Sequence, residues 1–189
     1  MSKQRVVLDA NTLYGTFCRD LLVSLFAAGI YEAKWTERIT QEWVSNLLKN
    51  RPDIQPEKLG RTAALMNHIL PSALVERYEQ FIGQIDLPDK DDRHVAAAAI
   101  ACGAQKIVTW NLADFPNQVL KAFGITAENP DKFMADLIID SPGDVVEVLR
   151  ATRERFKAPP LSVDGFFLQL KNNRLELTAK QLERYRDLL

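Results

Sequence analysis

Two short aliphatic runs, each closed by a polar residue, constrain this chain more than any other feature. Val6-Val7-Leu8 stops at Asp9, and Lys106-Ile107-Val108-Thr109-Trp110 stops at Asn111. Runs this short and this rich in β-branched residues predict strands buried on both faces, as in a parallel sheet covered by helices. Helical spacing fills the intervals. Phe17, Leu21, Leu25 and Ala28 form one stripe over 16–28, closed by Gly29. A short strand is expected around Ala33-Lys34-Trp35, after which Thr36 reads as the N-cap of a helix over 37–49 carrying Ile39, Trp43 and Leu47. Further helices are expected over 56–70, begun by Pro56, and onward through 72–82. Ile85-Asp86-Leu87-Pro88 reads as a strand leading into an alanine-rich helix over 92–102, which Gly103 ends. A helix over 116–123, a strand at Gly124–Ala127 and a helix over 131–139 complete the pattern. Strand and helix alternate, which implies an α/β fold of three layers with a central parallel sheet.

Ser141-Pro142-Gly143 marks a boundary, so two parts are expected, residues 1–140 and a helical subdomain over 141–189. The tail reads as helices near 143–156, 162–172 and 178–188, with Ser162 and Thr178 as caps, and its net charge is +2 against −3 for the rest. A total of −1 denies the chain the basic footprint of a protein that coats nucleic acid. Cys18 and Cys102 have no zinc or disulfide spacing, which fits a reducing, cytoplasmic setting. The N-terminus from Met1 to Leu8 has no signal-peptide core, and no apolar window is long enough for a membrane helix.

The carboxylates are ordinary in number and informative in position. Asp9 closes the first strand, Asp91 and Asp92 open the alanine-rich helix, and Asn111 and Asp114 follow the strand 106–110. Carboxyl ends of parallel strands are where ligand chemistry collects. Glu42 lies between Ile39 and Trp43, so it borders the buried stripe of its helix. Each acid alone has an ordinary reading, as a helix cap, a turn residue or a solvated helix side chain. Together they would repel and raise one another's pKa unless a cation neutralised them. A donor set made only of hard oxygens selects Mg²⁺ or Mn²⁺ over zinc or copper, and such an ion supports hydrolysis of phosphodiesters.

Three segments resemble the PIN-domain ribonucleases: Leu8-Asp9-Ala10-Asn11-Thr12-Leu13, then Leu87-Pro88-Asp89-Lys90-Asp91-Asp92-Arg93-His94-Val95 with the alanine run Ala96–Ala99, then Ile107-Val108-Thr109-Trp110-Asn111-Leu112-Ala113-Asp114-Phe115. Within that family the chain is similar to VapC-type toxins of bacterial toxin–antitoxin pairs that carry a helical C-terminal extension. The resemblance implies a PIN-like α/β/α sandwich and an endoribonuclease that leaves a 3′-hydroxyl and a 5′-phosphate. It assigns metal-holding, catalytic roles to Asp9, Glu42 and Asp92, with Asp91 as understudy. At the fourth position the chain departs from the pattern, with Asn111 where many members place an acid, so that Asp114 is the nearest carboxylate. Asn11 and Thr12 would orient Asp9 or a water by hydrogen bonds. Implied partners are RNA, a small antitoxin protein lying across the cleft, and a second copy of the chain.

Other chemistries find no support. There is no acid two residues after Asp9, as a haloacid-dehalogenase-like phosphatase would need, and no glycine-rich phosphate loop. His68 reads as a packed helix residue, and His94 as pointing away from Asp92. Trp110 is the tryptophan best placed to stack on a base. Lys49, Arg51, Lys58 and Arg61, with Arg150, Arg153, Arg155 and Lys157 on the tail, are candidate phosphate contacts. A PIN-like module that binds RNA or protein without cutting is the alternative in another class, and a DNA-directed nuclease is a lesser one.

Overall fold

The computed structural model describes residues 3–189; Met1 and Ser2, with which the reading of the N-terminus began, lie outside the described residues. In chain order the elements are β1 (Arg5–Leu8), α1 (Ala10–Tyr14), α2 (Thr16–Ala27), β2 (Glu32–Lys34), α3 (Glu37–Asn50), α4 (Pro56–Ile69), α5 (Arg93–Cys102), β3 (Lys106–Val108), α6 (Asn117–Leu120), β4 (Thr126–Glu128), α7 (Pro130–Asp140), α8 (Pro142–Glu154), α9 (Val163–Asn172) and α10 (Glu176–Leu182). They form two compact units. One comprises the chain up to Tyr14 together with Glu32–Glu128, and the other Gly15–Tyr31 together with Asn129–Leu189.

The first unit is built on a parallel sheet of order β2-β1-β3-β4, with Val7 paired to Lys34 on one side and Ile107 on the other. The α/β fold with a central parallel sheet is as expected. Val6, Val7, Leu8, Ile107 and Val108 are fully buried, which is why these strands read as unbroken apolar runs. From β1 the chain pairs first to one side, at β2, and later to the other, at β3. The sheet therefore reverses its winding between β1 and β3, and a crevice opens beyond the carboxyl ends of such a pair. α5 packs on both β1 and β3, with Ala96–Ala99 wholly buried, so methyl-sized side chains let the helix approach the sheet closely. Gly103 ends α5 in the left-handed conformation, with φ of 65°. The Thr36 hydroxyl accepts from the Ile39 amide and caps α3 as expected.

Two expectations between α4 and α5 fail. Residues 72–82 do not continue helically. Short 3₁₀ turns at Pro71–Ala73 and Glu79–Gln84 flank an extended stretch, in which Leu74 bridges Trp35 in parallel through the Val75 amide to the Trp35 carbonyl at 2.8 Å. Ile85–Pro88 is not a strand either. Ile85 and Leu87 are buried, but their alternation reports burial without a partner strand, and no ladder forms. Asp91 and Asp92 thus follow a loop.

In the second unit α2 packs on α8, α7 on α8 and α10, and α9 on α10. Tyr31 is fully buried, meets Phe133 edge-on at 5.0 Å and donates its hydroxyl to the Leu22 carbonyl at 3.0 Å. Ser162 caps α9 as expected, its hydroxyl accepting from the Gly165 amide. Thr178 is no cap: α10 begins at Glu176, and Thr178 lies buried inside it. The residue that satisfies that helix start is Asp131 of α7, only 6% exposed. Its carboxylate accepts from the Leu177 amide, the Thr178 amide and the Thr178 hydroxyl, each at 2.8 Å. The boundary between compact units lies ahead of the Ser141-Pro142-Gly143 signal because α7 buries Phe133, Met134, Leu137 and Ile138 among the tail helices.

Candidate active site

Asp9 leaves β1 at its carboxyl end and is only 5% exposed. Its Oδ1 accepts from the Ala10 amide at 2.6 Å, and its Oδ2 accepts from Asn11 Nδ2 at 2.7 Å and from the Thr109 hydroxyl at 2.8 Å. Burial raises the pKa of Asp9, and the bonds from Thr109 and Ala10 offset part of the rise. Asn11 also accepts from the Trp110 amide at 2.9 Å, so it ties the end of β1 to the end of β3. The Thr12 hydroxyl does not reach the Asp9 carboxylate; it donates to the Val108 carbonyl at 2.9 Å. The hydroxyl expected from Thr12 comes from Thr109.

Asp92 occupies the N-cap position of α5 yet makes no side-chain capping bond, which removes its ordinary structural reading. Instead one oxygen each from Asp89, Asp92 and Asp114 lie mutually within 4.8 Å. Asp92 is pushed up to about 7 by burial first, then by the charges of Asp9, Asp114, Asp89 and Glu42. Asp91 lines the cleft beside them, and its amide donates to Asp89 Oδ1 at 2.8 Å. Asn111 donates its side-chain amide to Asp114 Oδ2, so the two candidates for the fourth position act as a bonded pair.

Glu42 stands on α3, half-buried. Its Oε1 accepts from Arg38 Nε at 3.1 Å and lies 3.1 Å from His94 Nε2. Burial opposes its ionisation, but the hydrogen bonds and charges of His94 and Arg38 outweigh that and hold its carboxyl below the usual range. The expectation placed His94 away from Asp92; the structure gives it Glu42 as a partner. The i,i+2 spacing from Asp92 carried no hint of a contact to Glu42, far earlier in the chain.

These residues enclose a cleft of about 420 Å³ lined by Asp9, Asn11, Tyr14, Glu42, Asn46, Asn50, Asp91, Asp92 and Asn111, among others. Its lining joins four carboxylates, Asp9, Glu42, Asp91 and Asp92, to asparagine amides and the Tyr14 hydroxyl. Crowded carboxylates, one with its pKa near neutrality, are a donor set for a hard divalent cation. Among the described residues the mutually close group is Asp89, Asp92 and Asp114; Asp9 and Glu42 stand outside it and act on Asp92 through their charges. Asp89 was not singled out from sequence, although its three-residue offset from Asp92 could have pointed to it.

The basic candidates divide. Arg51 forms a two-bond pair with Asp53, Arg150 pairs with Glu147, and Arg153 donates to the Leu161 carbonyl at 2.6 Å. His68 is exposed, contrary to expectation, because α4 turns it away from the buried Leu59, Ala63 and Met66. Trp35 and Trp43 are core residues.

A parallel sheet that reverses between β1 and β3, with acids gathered beyond that point, is the architecture of a doubly wound α/β fold with a ligand site at its switch point. The family model described as "PIN domain" matches residues 5–113, and the chain belongs to the PIN-domain family. The model described as "VapC50 C-terminal domain" matches residues 130–184. The chain is similar to a Mycobacterium tuberculosis protein named "Putative ribonuclease VapC50", 42% identical over 67 residues, which are 35% of this chain and 39% of that protein. The match thus spans about two fifths of the relative's length. No solved structure matches the chain. No helix among the described residues is long and apolar enough to cross a membrane.

Proposed function

We propose that this protein is a Mg²⁺-dependent endoribonuclease, the toxin of a type II toxin–antitoxin pair, working in the cytoplasm as a homodimer on RNA. Mn²⁺ would serve in place of Mg²⁺. The observation that carries the reading is the meeting of Asp89, Asp92 and Asp114 oxygens within 4.8 Å of one another at the carboxyl edge of a PIN-family sheet. Asp9, Glu42, Asp92 and Asp114 would hold the cation, aided by Asp89. When bound, the ion neutralises these charges and lowers the cost of charge developing on a phosphodiester. The chain's own groups supply the order: Asn11 and Thr109 fix Asp9, and Arg38 fixes Glu42. Tyr14, Asn46 and Asn50 offer hydrogen-bonding groups to an RNA strand in the cleft. Catalysis in this reading belongs to residues 1–140, with the antitoxin lying across the cleft, and 141–189 is a helical extension that falls largely within the match to the VapC50 C-terminal model.

The test is cleavage of single-stranded RNA by the purified protein with Mg²⁺, beside Asp9→Asn, Asp92→Asn and an EDTA control. Loss of a group that holds the cation is expected to slow cleavage on the order of 10²-fold or more. No cleavage by the parent would overturn the nuclease reading and leave a binding module, and parent and both variants cleaving alike would overturn the assignment of Asp9 and Asp92. Digestion of DNA in preference to RNA would overturn the choice of substrate.

A further inference from the structure

We infer that His94 is a positioning residue, which together with Arg38 fixes Oε1 of Glu42 and so keeps Oε2 of that carboxylate available to a divalent cation. The inference rests on the metal-dependent reading above and adds a residue to it.

His94 is the second residue of α5 and 1% exposed, while Glu42 belongs to α3, so their contact joins two helices. Both donors converge on one oxygen: Arg38 Nε and His94 Nε2 each lie 3.1 Å from Glu42 Oε1. Among the described residues no donor engages Oε2 of Glu42. A carboxylate held by one oxygen is fixed in direction, and Glu42 lines the cleft that Asp9 and Asp92 also line. Donation to Glu42 puts the imidazole proton on Nε2.

A purely structural account of His94 is weak. Its Nδ1 is buried with no hydrogen-bond partner, a cost that an apolar side chain of similar size would not carry. What such a side chain could not do is hold Glu42. Partners that orient a metal-holding group commonly change metal affinity tenfold to a hundredfold when removed.

The experiment uses the full chain and Mn²⁺ itself as probe, with binding followed by electron paramagnetic resonance of free Mn²⁺ and thermal unfolding measured in parallel. His94→Leu is expected to weaken Mn²⁺ binding roughly tenfold or more. His94→Gln, whose side-chain amide reaches the place of Nε2, is expected to stay within about threefold of the parent, whereas His94→Asn, whose amide stops short, is not. This contrast survives even if His94→Leu fails to fold. A structural role alone would make Mn²⁺ affinity indifferent to the choice between Gln and Asn, and that result overturns the proposal. So does a parent that binds no Mn²⁺, or His94→Leu binding it as the parent does. RNA cleavage by the same proteins keeps the two readings apart. Mn²⁺ binding that depends on His94 with no cleavage by the parent would sink the nuclease and spare His94; cleavage by the parent with Mn²⁺ binding indifferent to His94 would do the reverse.

Discussion

Asp131 and Asp92 are two partly or wholly buried carboxylates that the protein treats in opposite ways. Asp131, in the second unit, is surrounded by donors, and its oxygens accept from two amides and a hydroxyl at the start of α10. Asp92, in the first, caps nothing and is surrounded by other acids. A buried charge is tolerated when hydrogen bonds or an opposite charge meet it, and is costly otherwise. The difference shows how a structural acid can be told from a functional one without knowing the reaction. Asp131 is complete within the protein. Asp92 becomes complete only when something positive is added.

The sharpest way to break this contrast is to neutralise both. Asp92→Asn is expected to abolish cleavage, on the order of 10²-fold or more, while the variant unfolds at the same or a higher temperature. Asp131→Ala is expected to do the opposite, destabilising the chain by ~2–4 kcal/mol in denaturant unfolding, because buried donors lose their acceptor. If Asp131→Ala weakened Mn²⁺ binding in the folded protein as strongly as Asp92→Asn, the distinction would fail.

A smaller effect comes from pH. In the unfolded chain Asp92 titrates near 3.8, and in the folded one at about 7. Between those values the folded state holds the extra proton, so cation-free stability falls as pH rises through that window and the loss is complete above it. Mg²⁺ is therefore expected to raise the unfolding temperature more at pH 8 than at pH 5. Asp92→Asn should reduce the pH slope, leaving the parts due to Asp9 and Asp20, whose pKa values burial also raises. Equal stabilisation by Mg²⁺ at both pH values would argue against a raised pKa at Asp92.

The smallest expected effect is that of Asp89→Asn. Asp89 is exposed, and water already screens its charge. A loss of a few-fold in Mn²⁺ affinity, read by titration, would place it at the edge of the acid group. A loss as large as that of Asp92→Asn would make it a principal holder of the cation.

Much of this protein was legible in local pattern. The buried strands at Val6–Leu8 and Ile107–Val108, the caps at Thr36 and Ser162, and the stop at Gly103 were all readable because periodicity, capping and left-handed glycine act within a few residues. The acids after those strands were readable for the same reason. Tertiary structure decided what no local pattern encodes: Thr109 in the place expected of Thr12, Leu74 bridging Trp35, Asp131 reaching Thr178, and His94 reaching Glu42. It also decided that the alternation at Ile85–Leu87 marks burial and not a strand. Each of these joins, or fails to join, residues far apart in the chain. Closing such loops costs conformational entropy that only the assembled core offsets, so the pairings exist in the whole fold and leave no trace in any short stretch of it.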